Sequence, residues 1–251
     1  MQLHPDAERS CVRLIAYDTL GSTNAEALAR GRAGERGPLW ITAARQTAGR
    51  GRRGRNWSSP PGNLYTSILL RPQRPASEAA ALGFAAVMAI GDVAEALLSP
   101  GTQVQHKWPN DLLIKGSKAS GILLEAQPGF VVLGIGVNIA SHPADTPYPA
   151  TDLVAAGAAP IAPQALLERL LTAFAPLYES WERASFAVLL PAWRRRAAGL
   201  GGPIEVRLER ETLTGTFRDL EPDGTLRLTL SDGTERRIAA GDVYLPAMTR
   251  G

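Results

Sequence analysis

Apolar runs of strand length, separated by turn residues, recur through the first part of the chain. Each run is rich in β-branched, aromatic or aliphatic residues, which is typical of strands in a covered sheet. The predicted strands are Cys11–Tyr17, Leu39–Ala44, Asn63–Leu70, Gln103–Trp108, Gly121–Ala126 and Phe130–Ile139. Gln127-Pro128-Gly129 separates the last two runs and predicts a hairpin.

Helical patterns lie between and after these runs. Thr23 and Glu26 have the spacing of a capping box at the start of a helix. The predicted helical segments are Ala25–Arg30, Ser77–Leu98 and Pro163–Ala198. We expect Pro176 and Pro191 to break the last segment, whose helices should pack on the other edge or face of the sheet. Arg194–Arg196 reads as a solvated helix end.

The pattern changes after Gly199–Gly202. From there the chain consists of short alternating runs, with Asp-Gly turns before the third and fourth of them. These predicted strands are Ile204–Leu208, Thr212–Leu220, Thr225–Leu230 and Glu235–Ile238. The pattern predicts a small β-barrel, so we divide the chain into domains of residues 1–199 and 200–251.

Composition excludes several classes of protein. The chain has 251 residues, 45% of them hydrophobic, which is enough to bury a substantial core. It has no apolar run long enough to span a bilayer, and Met1–Arg9 carries charges where a signal peptide would be apolar, so we expect a cytoplasmic protein. Cys11 is the only cysteine and the three histidines lack ligand spacing, so a thiolate metal site is excluded and no metal ligand is assigned.

Lysine is rare in this sequence and is confined to one short stretch. Only Lys107, Lys115 and Lys118 are lysines among 27 basic residues. A general drift of the amino-acid composition from lysine towards arginine could produce this pattern by chance. The alternative is chemical, because a compact ammonium can follow a reacting oxygen in ways that a rigid guanidinium cannot.

The segment Gly49–Arg55 interleaves four arginines with three glycines and is followed by Trp57. Glycine and like charges together disfavour a helix or a strand, so we predict a loop that becomes ordered over a polyphosphate. A solvated surface loop and a nonspecific nucleic-acid patch are the alternatives.

Three polar motifs each allow a structural and a functional interpretation. Gly21–Asn24 is either a helix cap or a set of hydrogen-bonding groups for a compact polar ligand. Lys107–Asp111 is a turn, but a turn does not explain its lysine and tryptophan. Gly134–Asn138 places glycines in an apolar strand, which indicates a bulge, close ligand approach or tight packing against a helix.

Five segments, taken in this order, resemble the bacterial biotin protein ligases. They are GSTN (Gly21–Asn24), QTAGRGRRGRNW (Gln46–Trp57), KWPND (Lys107–Asp111), KASGILLE (Lys118–Glu125) and GIGVN (Gly134–Asn138). The resemblance runs from about Leu14 to the C-terminus, and the basic loop together with KWPND is its most specific part. It implies an α+β fold: a class II synthetase-like mixed sheet with flanking helices, then an SH3-like β-barrel.

The same resemblance implies a reaction and a set of site residues. The expected enzyme converts biotin and ATP, with magnesium, to biotinyl-5'-AMP and transfers biotin to a lysine of the biotin carboxyl carrier protein of acetyl-CoA carboxylase. The residues implied to bind biotin are Ser22, Thr23, Asn24, Gln46, Gly49, Arg50, Gly51, Arg52, Trp57, Lys118, Gly121 and Gly134. Those implied to bind the nucleotide are Arg52, Arg55, Lys107, Asn110, Asp111, Lys118 and Asn138, with Lys118 and Arg52 as the catalytic pair.

Some members of this family carry an N-terminal winged helix-turn-helix domain, for which the stretch before Ser22 is too short. We therefore predict no operator binding, no membrane association and a possible homodimer. Two other functions remain open at this point: a lipoate or octanoate ligase of the same superfamily, and a non-enzymatic nucleic-acid-binding module built on the basic loop.

Overall fold

A seven-stranded mixed sheet forms the larger part of the molecule. The computed structural model describes residues 13–146 and 148–246. In sheet order β1-β2-β3-β7-β6-β5-β4, the strands are β1 Arg13–Leu20, β2 Leu39–Gln46, β3 Leu64–Leu70, β7 Phe130–Val137, β6 Ser117–Gln127, β5 Asp111–Ile114 and β4 Val104–Lys107. β1 and β2 pair in parallel and the other neighbours pair antiparallel. The predicted α+β fold is confirmed.

Several predicted strand bounds were wrong. β1 continues past Tyr17 to Leu20, and Cys11, where the strand was expected to begin, lies outside the described residues. β2 continues past its predicted end at Ala44 to Gln46. β5 was missed because it has only four residues and directly follows the turn of the KWPND motif.

Helices cover both faces of this sheet. They are α1 Thr23–Arg32, α2 Ala81–Leu97, α3 Pro163–Ala184 and α4 Leu190–Arg195. Trp40 of β2 packs into the core formed with α2 and α3, whereas Leu39 and Ile41 point the other way, towards α1. α3 packs on α2 on the same face, but it contacts β3 and Trp40 of β2, whereas α2 contacts β4 to β7, so the later helix covers the other edge of the sheet as predicted.

Pro176 does not break α3, contrary to the prediction. The helix buries Leu167, Leu171 and Phe174 before the proline and Trp181 after it, so one apolar stripe crosses the position. Pro176 itself is exposed, where water can replace the missing backbone hydrogen bond. The chain breaks later, after Ala184.

The C-terminal region forms a five-stranded antiparallel sheet, in agreement with the predicted SH3-like domain. Its order is β11-β10-β9-β8-β12. The strands are β8 Pro203–Arg207, β9 Thr212–Leu220, β10 Leu226–Leu230, β11 Glu235–Ile238 and β12 Asp242–Tyr244. β12 was not predicted, because three residues carry too little alternation to be recognised.

Polar contacts join the C-terminal sheet to the rest of the molecule. The buried indole of Trp108 donates to the carbonyl of Gly224 at 2.9 Å, which explains the tryptophan of the KWPND motif. Arg194 of α4 donates to both carboxylate oxygens of Asp219, at 2.6 and 2.8 Å, so this residue of the expected solvated helix end instead joins α4 to the C-terminal sheet.

Helix α2 is far more apolar than α1 and α3. The segment Ala76–Leu97 is the one helix among residues 13–146 and 148–246 that has the length and hydropathy of a membrane span. In the structure 72% of its most apolar window is buried, between the sheet and α3. A position in the protein core accounts for this composition.

Candidate active site

A cavity of about 420 Å³ opens between the larger sheet, the basic loop (Gly49–Arg55) and the C-terminal sheet. Strand β7 runs along its floor. Gly134, Gly136 and the following Asn138 are alternate residues, so they face the cavity together over about 13 Å at the usual rise of a strand. Different groups lie along this floor, and the site therefore has two distinct ends.

Four uncharged polar residues, Thr23, Asn24, Gln46 and Ser67, form the neutral end. Gln46 Oε1 accepts hydrogen bonds from the backbone N–H of Thr23 at 2.8 Å and from its hydroxyl at 3.1 Å. The hydroxyl of Ser67 lies 2.8 Å from Thr23 Oγ1 and 2.6 Å from Asn24 Oδ1. Since Thr23, Asn24 and Ser67 are buried, these bonds hold each group in one orientation.

The start of α1 explains why this end is available for binding. The N-cap is Ser22, whose hydroxyl accepts from the N–H of Ala25, and not Thr23. The predicted capping box was therefore wrong, and Glu26 instead accepts from Tyr17 at 3.0 Å. The hydroxyl of Thr23 is therefore free to face Gln46. Both interpretations of the Gly21–Asn24 motif apply, the helix cap to Ser22 and the hydrogen-bonding group for a ligand to Thr23.

The glycines of β7 provide room for side chains that cross the sheet. A Cβ at position 134 would overlap Asn24, which donates from Nδ2 to Glu125 Oε2 at 2.8 Å. A Cβ at position 136 would lie 2.5 Å from the ring of Trp57. β7 pairs in continuous register with both neighbours, so these glycines mark close packing and not a bulge.

Lys107, Asp111 and Lys118 form the charged end. The Asp111 carboxylate lies 2.7 Å from Lys107 Nζ and 2.6 Å from Lys118 Nζ. Burial is the largest single influence on the pKa of Asp111, and it opposes ionisation. The two ammonium groups together outweigh it and hold the pKa of Asp111 well below the ordinary value. Two cations and one anion leave one net positive charge.

The third lysine of the stretch lies outside the site. Lys115 Nζ donates to the carbonyl of Ala156 at 3.2 Å, and Lys115 does not line the cavity. Two of the three clustered lysines thus share one carboxylate, which favours the chemical explanation over chance for Lys107 and Lys118.

The basic loop is held by a carboxylate of the chain itself. Asp242, at the start of β12, pairs with Arg55 at 2.9 Å, Arg53 at 3.4 Å and Arg52 at 3.7 Å. Arg52 also donates to Asn110 Oδ1 at 3.0 Å. Burial lowers the pKa of Arg52, although the charge of Asp242 opposes that effect. The predicted polyphosphate is therefore not the only anion that can order this loop.

Nearly all the residues expected from the sequence line this one cavity. They are Ser22, Thr23, Asn24, Gln46, Arg50, Gly51, Arg52, Arg55, Trp57, Lys107, Asn110, Asp111, Lys118, Gly121, Gly134 and Asn138. Gly49 is the exception: it packs behind the lining, where a Cβ would lie 2.5 Å from the carbonyl oxygen of Trp57 and 2.6 Å from Ser59 Oγ.

Other residues of the site were not found from the sequence. Those that line the cavity or bond to its lining include Thr66, Ser67, Glu125, Asp145, Tyr148 and Asp242. Thr66-Ser67 had a detectable signal, because two hydroxyl residues interrupt an otherwise apolar buried strand. Asp242 and Tyr148 had none, since only the tertiary fold brings them to the cavity.

Neither end of the site has the groups of a resident metal centre. In the part of the chain that the structure describes, no group of three or more His, Cys, Asp and Glu could hold a metal ion. The carboxylate of Asp111 faces two ammonium groups, and Asn110 Oδ1 accepts from Arg52. These oxygens fit a magnesium ion only if it arrives already bound to phosphate oxygens.

A site with neutral hydrogen-bonding groups at one end and fixed positive charge at the other suits an enzyme that activates a carboxylic acid. The sequence comparisons agree. Residues 22–140 match the biotin/lipoate A/B protein ligase family, and residues 199–245 match the biotin protein ligase C-terminal domain. The chain belongs to the biotin protein ligase family.

Individual relatives cover most of the chain. A biotin–[acetyl-CoA-carboxylase] ligase from Paracoccus denitrificans is 40% identical over 239 residues, which are 89% of this chain and 96% of that protein. A bifunctional ligase/repressor from Bacillus subtilis is 34% identical over 92% of this chain and 74% of its own length. The structure of the biotin protein ligase from Aquifex aeolicus with biotin and ATP superposes with a TM-score of 0.75, at 25% identity, over 92% of this chain and 97% of that one.

Proposed function

We propose that this chain is an ATP-dependent biotin protein ligase. It converts biotin and ATP to biotinyl-5'-AMP and pyrophosphate, and it then transfers biotin to a specific lysine of the biotin carboxyl carrier protein of acetyl-CoA carboxylase. The observation that carries the proposal is the order of groups in one cavity, from the neutral end past Trp57 to Lys118. Biotin has the same order: a ureido ring, an aliphatic tail and a carboxylate.

The neutral end suits the ureido ring of biotin. Ser22, Thr23 and Gln46 offer donors and acceptors within a buried pocket, and Asn24 shapes its side against Gly134. An octanoyl or lipoyl chain would place apolar atoms against these polar groups and would form no hydrogen bond with them. This favours biotin over the acids of the related ligases.

The charged end suits the adenylation step. The biotin carboxylate attacks the α-phosphorus of ATP; the new P–O bond forms as the bond to the bridging oxygen breaks, and pyrophosphate leaves. The biotin carboxylate and the ATP phosphate are both anionic and repel each other. Lys118 and Lys107 favour the reaction because they bring fixed positive charge to the point where these two anions meet. Arg52 and Arg55 lie beside this point, at the nucleotide side of the cavity.

The remaining site residues have supporting roles in this proposal. Arg50 and Gly51 belong to the loop over the bound intermediate, and Gly121 leaves room for Trp57, which a Cβ there would approach to 3.0 Å. Asn110 and Asn138 line the nucleotide side. Magnesium enters as part of the ATP substrate, because the oxygens of Asp111 and Asn110 already face cations.

In the transfer step, the neutral amine of the acceptor lysine attacks the acyl carbonyl of biotinyl-5'-AMP. The amide bond forms, AMP leaves and the amine releases a proton. The same proposal includes the carrier protein as the acceptor, a cytoplasmic location and a possible homodimer. It also assigns biotin and ATP binding to a domain of residues 1–199, followed by an SH3-like domain of residues 200–251. Absence of operator binding stays a prediction, which a mobility shift at physiological salt tests.

Exchange of labelled pyrophosphate into ATP by the purified protein is the decisive experiment. We expect exchange with biotin and none with lipoate or octanoate. Exchange with octanoate or lipoate alone would replace the proposal by the related ligase. No exchange with any acid, together with binding to mixed-sequence DNA or RNA that survives about 0.2 M salt, would favour the nucleic-acid-binding module.

A further inference from the structure

Tyr148 is an aromatic residue of the charged end to which the proposed reaction assigns no part. It lies in the loop between β7 and α3 and lines the cavity. The centroid of its ring is 4.8 Å from Lys107 Nζ and 5.3 Å from Lys118 Nζ. Its hydroxyl accepts a hydrogen bond from Lys118 Nζ at 3.2 Å. One side chain therefore touches both ammonium groups.

The backbone next to Tyr148 is tied to the same lysine. Lys118 N donates to the carbonyl of Pro149 at 2.8 Å, and Thr151 N donates to the carbonyl of Lys118 at 2.9 Å. Lys118 and Ala150 form an isolated β-bridge at this point. The loop is thus fixed to Lys118 through its main chain as well as through the side chain of Tyr148.

A third contact fixes Tyr148 from the C-terminal sheet. Its ring meets that of Tyr244 edge to face, with centroids 6.1 Å apart. Tyr244 is covered in turn by the guanidinium of Arg207, 3.9 Å from its centroid. The ring of Tyr148 is therefore also supported by the C-terminal sheet.

An aromatic ring suits this place because it stabilises a cation without cancelling its charge. Lys107 and Lys118 repel each other, and Asp111 neutralises only one of them. A second carboxylate would remove the net charge that adenylation needs, whereas a ring face attracts the ammonium groups and leaves their charge intact. Burial raises the pKa of Tyr148 to about 12, so the phenol is neutral at physiological pH.

We propose that Tyr148 is a positioning residue that holds the Lys118 ammonium in the cavity between its own ring and that of Trp57, ready for the biotin carboxylate and the phosphoryl group. Trp57 supplies the second ring, whose centroid is 5.5 Å from Lys118 Nζ. Lysine has a long flexible stem, and the ion pair with Asp111 restrains its ammonium less than that ion pair and the two rings do together. This inference rests on the proposed function.

The test compares Tyr148→Phe in two backgrounds by biotin-dependent pyrophosphate exchange. The phenylalanine keeps the ring and removes only the hydroxyl. In the otherwise unchanged enzyme we expect kcat to fall about fivefold, with the KM for biotin within about twofold. In the Lys118→Ala background the same substitution should change nothing, because its target is gone.

Tyr148→Leu removes the ring as well and should lower kcat by about tenfold or more. Tyr178→Phe is the control: its hydroxyl bonds to Glu182 on α3, away from the cavity, and we expect unchanged kinetics. Equal effects of Tyr148→Phe in both backgrounds, or a kcat within about 20% of the parent in the unchanged background, would overturn the inference. Absence of exchange by the unsubstituted enzyme would instead reject the proposed function.

Discussion

The two ends of the cavity are built in different ways. At the neutral end most contacts are hydrogen bonds between uncharged groups, such as that between Gln46 at the end of β2 and Thr23 at the start of α1. At the charged end the contacts are ion pairs, and Arg55 and Asp242 are separated by 187 residues in sequence. The neutral end is suited to selecting a ligand by shape and hydrogen bonding, and the charged end to stabilising charge as it moves during a reaction.

This difference predicts that substitutions at the two ends change different kinetic constants. Loss of a charged group that faces the reacting atoms should lower kcat, because its charge matters most in the transition state. Loss of a neutral hydrogen bond should mainly weaken ligand binding. Lys118→Ala and Gln46→Ala test this division, and Arg52→Gly and Asp242→Asn test the role of the basic loop.

Lys118→Ala should have the largest effect. It removes a buried preorganised charge, which is worth roughly 10²- to 10³-fold in rate, while biotin should still bind measurably by calorimetry. The control is Lys115→Gln, whose parent lysine bonds to the Ala156 carbonyl outside the cavity. Near-normal pyrophosphate exchange by Lys118→Ala would remove the lysine from the reaction.

Arg52→Gly should increase release of free biotinyl-adenylate into solution. The partly buried guanidinium bonds to Asn110 and Gly241 and helps to close the basic loop over the cavity. Its loss should raise the release rate by roughly tenfold, as expected for a hydrogen bond from a charged group. The measurement is labelled adenylate recovered by filtration. A release rate equal to that of the parent enzyme would show that the loop does not protect the intermediate.

Gln46→Ala should act on binding at the neutral end. It leaves the N–H and hydroxyl of Thr23 without their acceptor, so the Kd for biotin should rise by about tenfold with little change in kcat. Gln105→Ala, on the edge strand β4, is the matched control. A fall in kcat without weaker binding would contradict the division between the two ends.

Asp242→Asn should have the smallest of the four effects. It weakens three ion pairs of partly exposed arginines, each worth little alone, so we expect the KM for ATP to rise about fivefold. Glu211→Gln removes the partner of Arg236 elsewhere on the C-terminal sheet and serves as the control. A lower KM for ATP would mean that Asp242 competes with the phosphates for the arginines.

Local patterns in the sequence predicted most of the fold and much of the site. Strands β3, β6 and β7 were recognisable because their apolar runs reflect burial in the middle of a sheet. The basic loop and the KWPND motif were recognisable because an unusual chemistry is concentrated in a few adjacent residues. The strand bounds, the helix across Pro176 and the N-cap were wrong, because packing and capping geometry override local preference.

The amino-acid sequence alone determined that this chain has a mixed sheet, a small C-terminal β-domain and the residues of a biotin protein ligase. Each of these features can be recognised from residues that are adjacent in the sequence. Only the tertiary structure decided that Asp242 holds the basic loop and that Tyr148 lies against both lysines. The physical reason is distance along the chain. Burial and charge pairing depend on which segments meet, and nothing in the residues around position 148 or 242 specifies the partner.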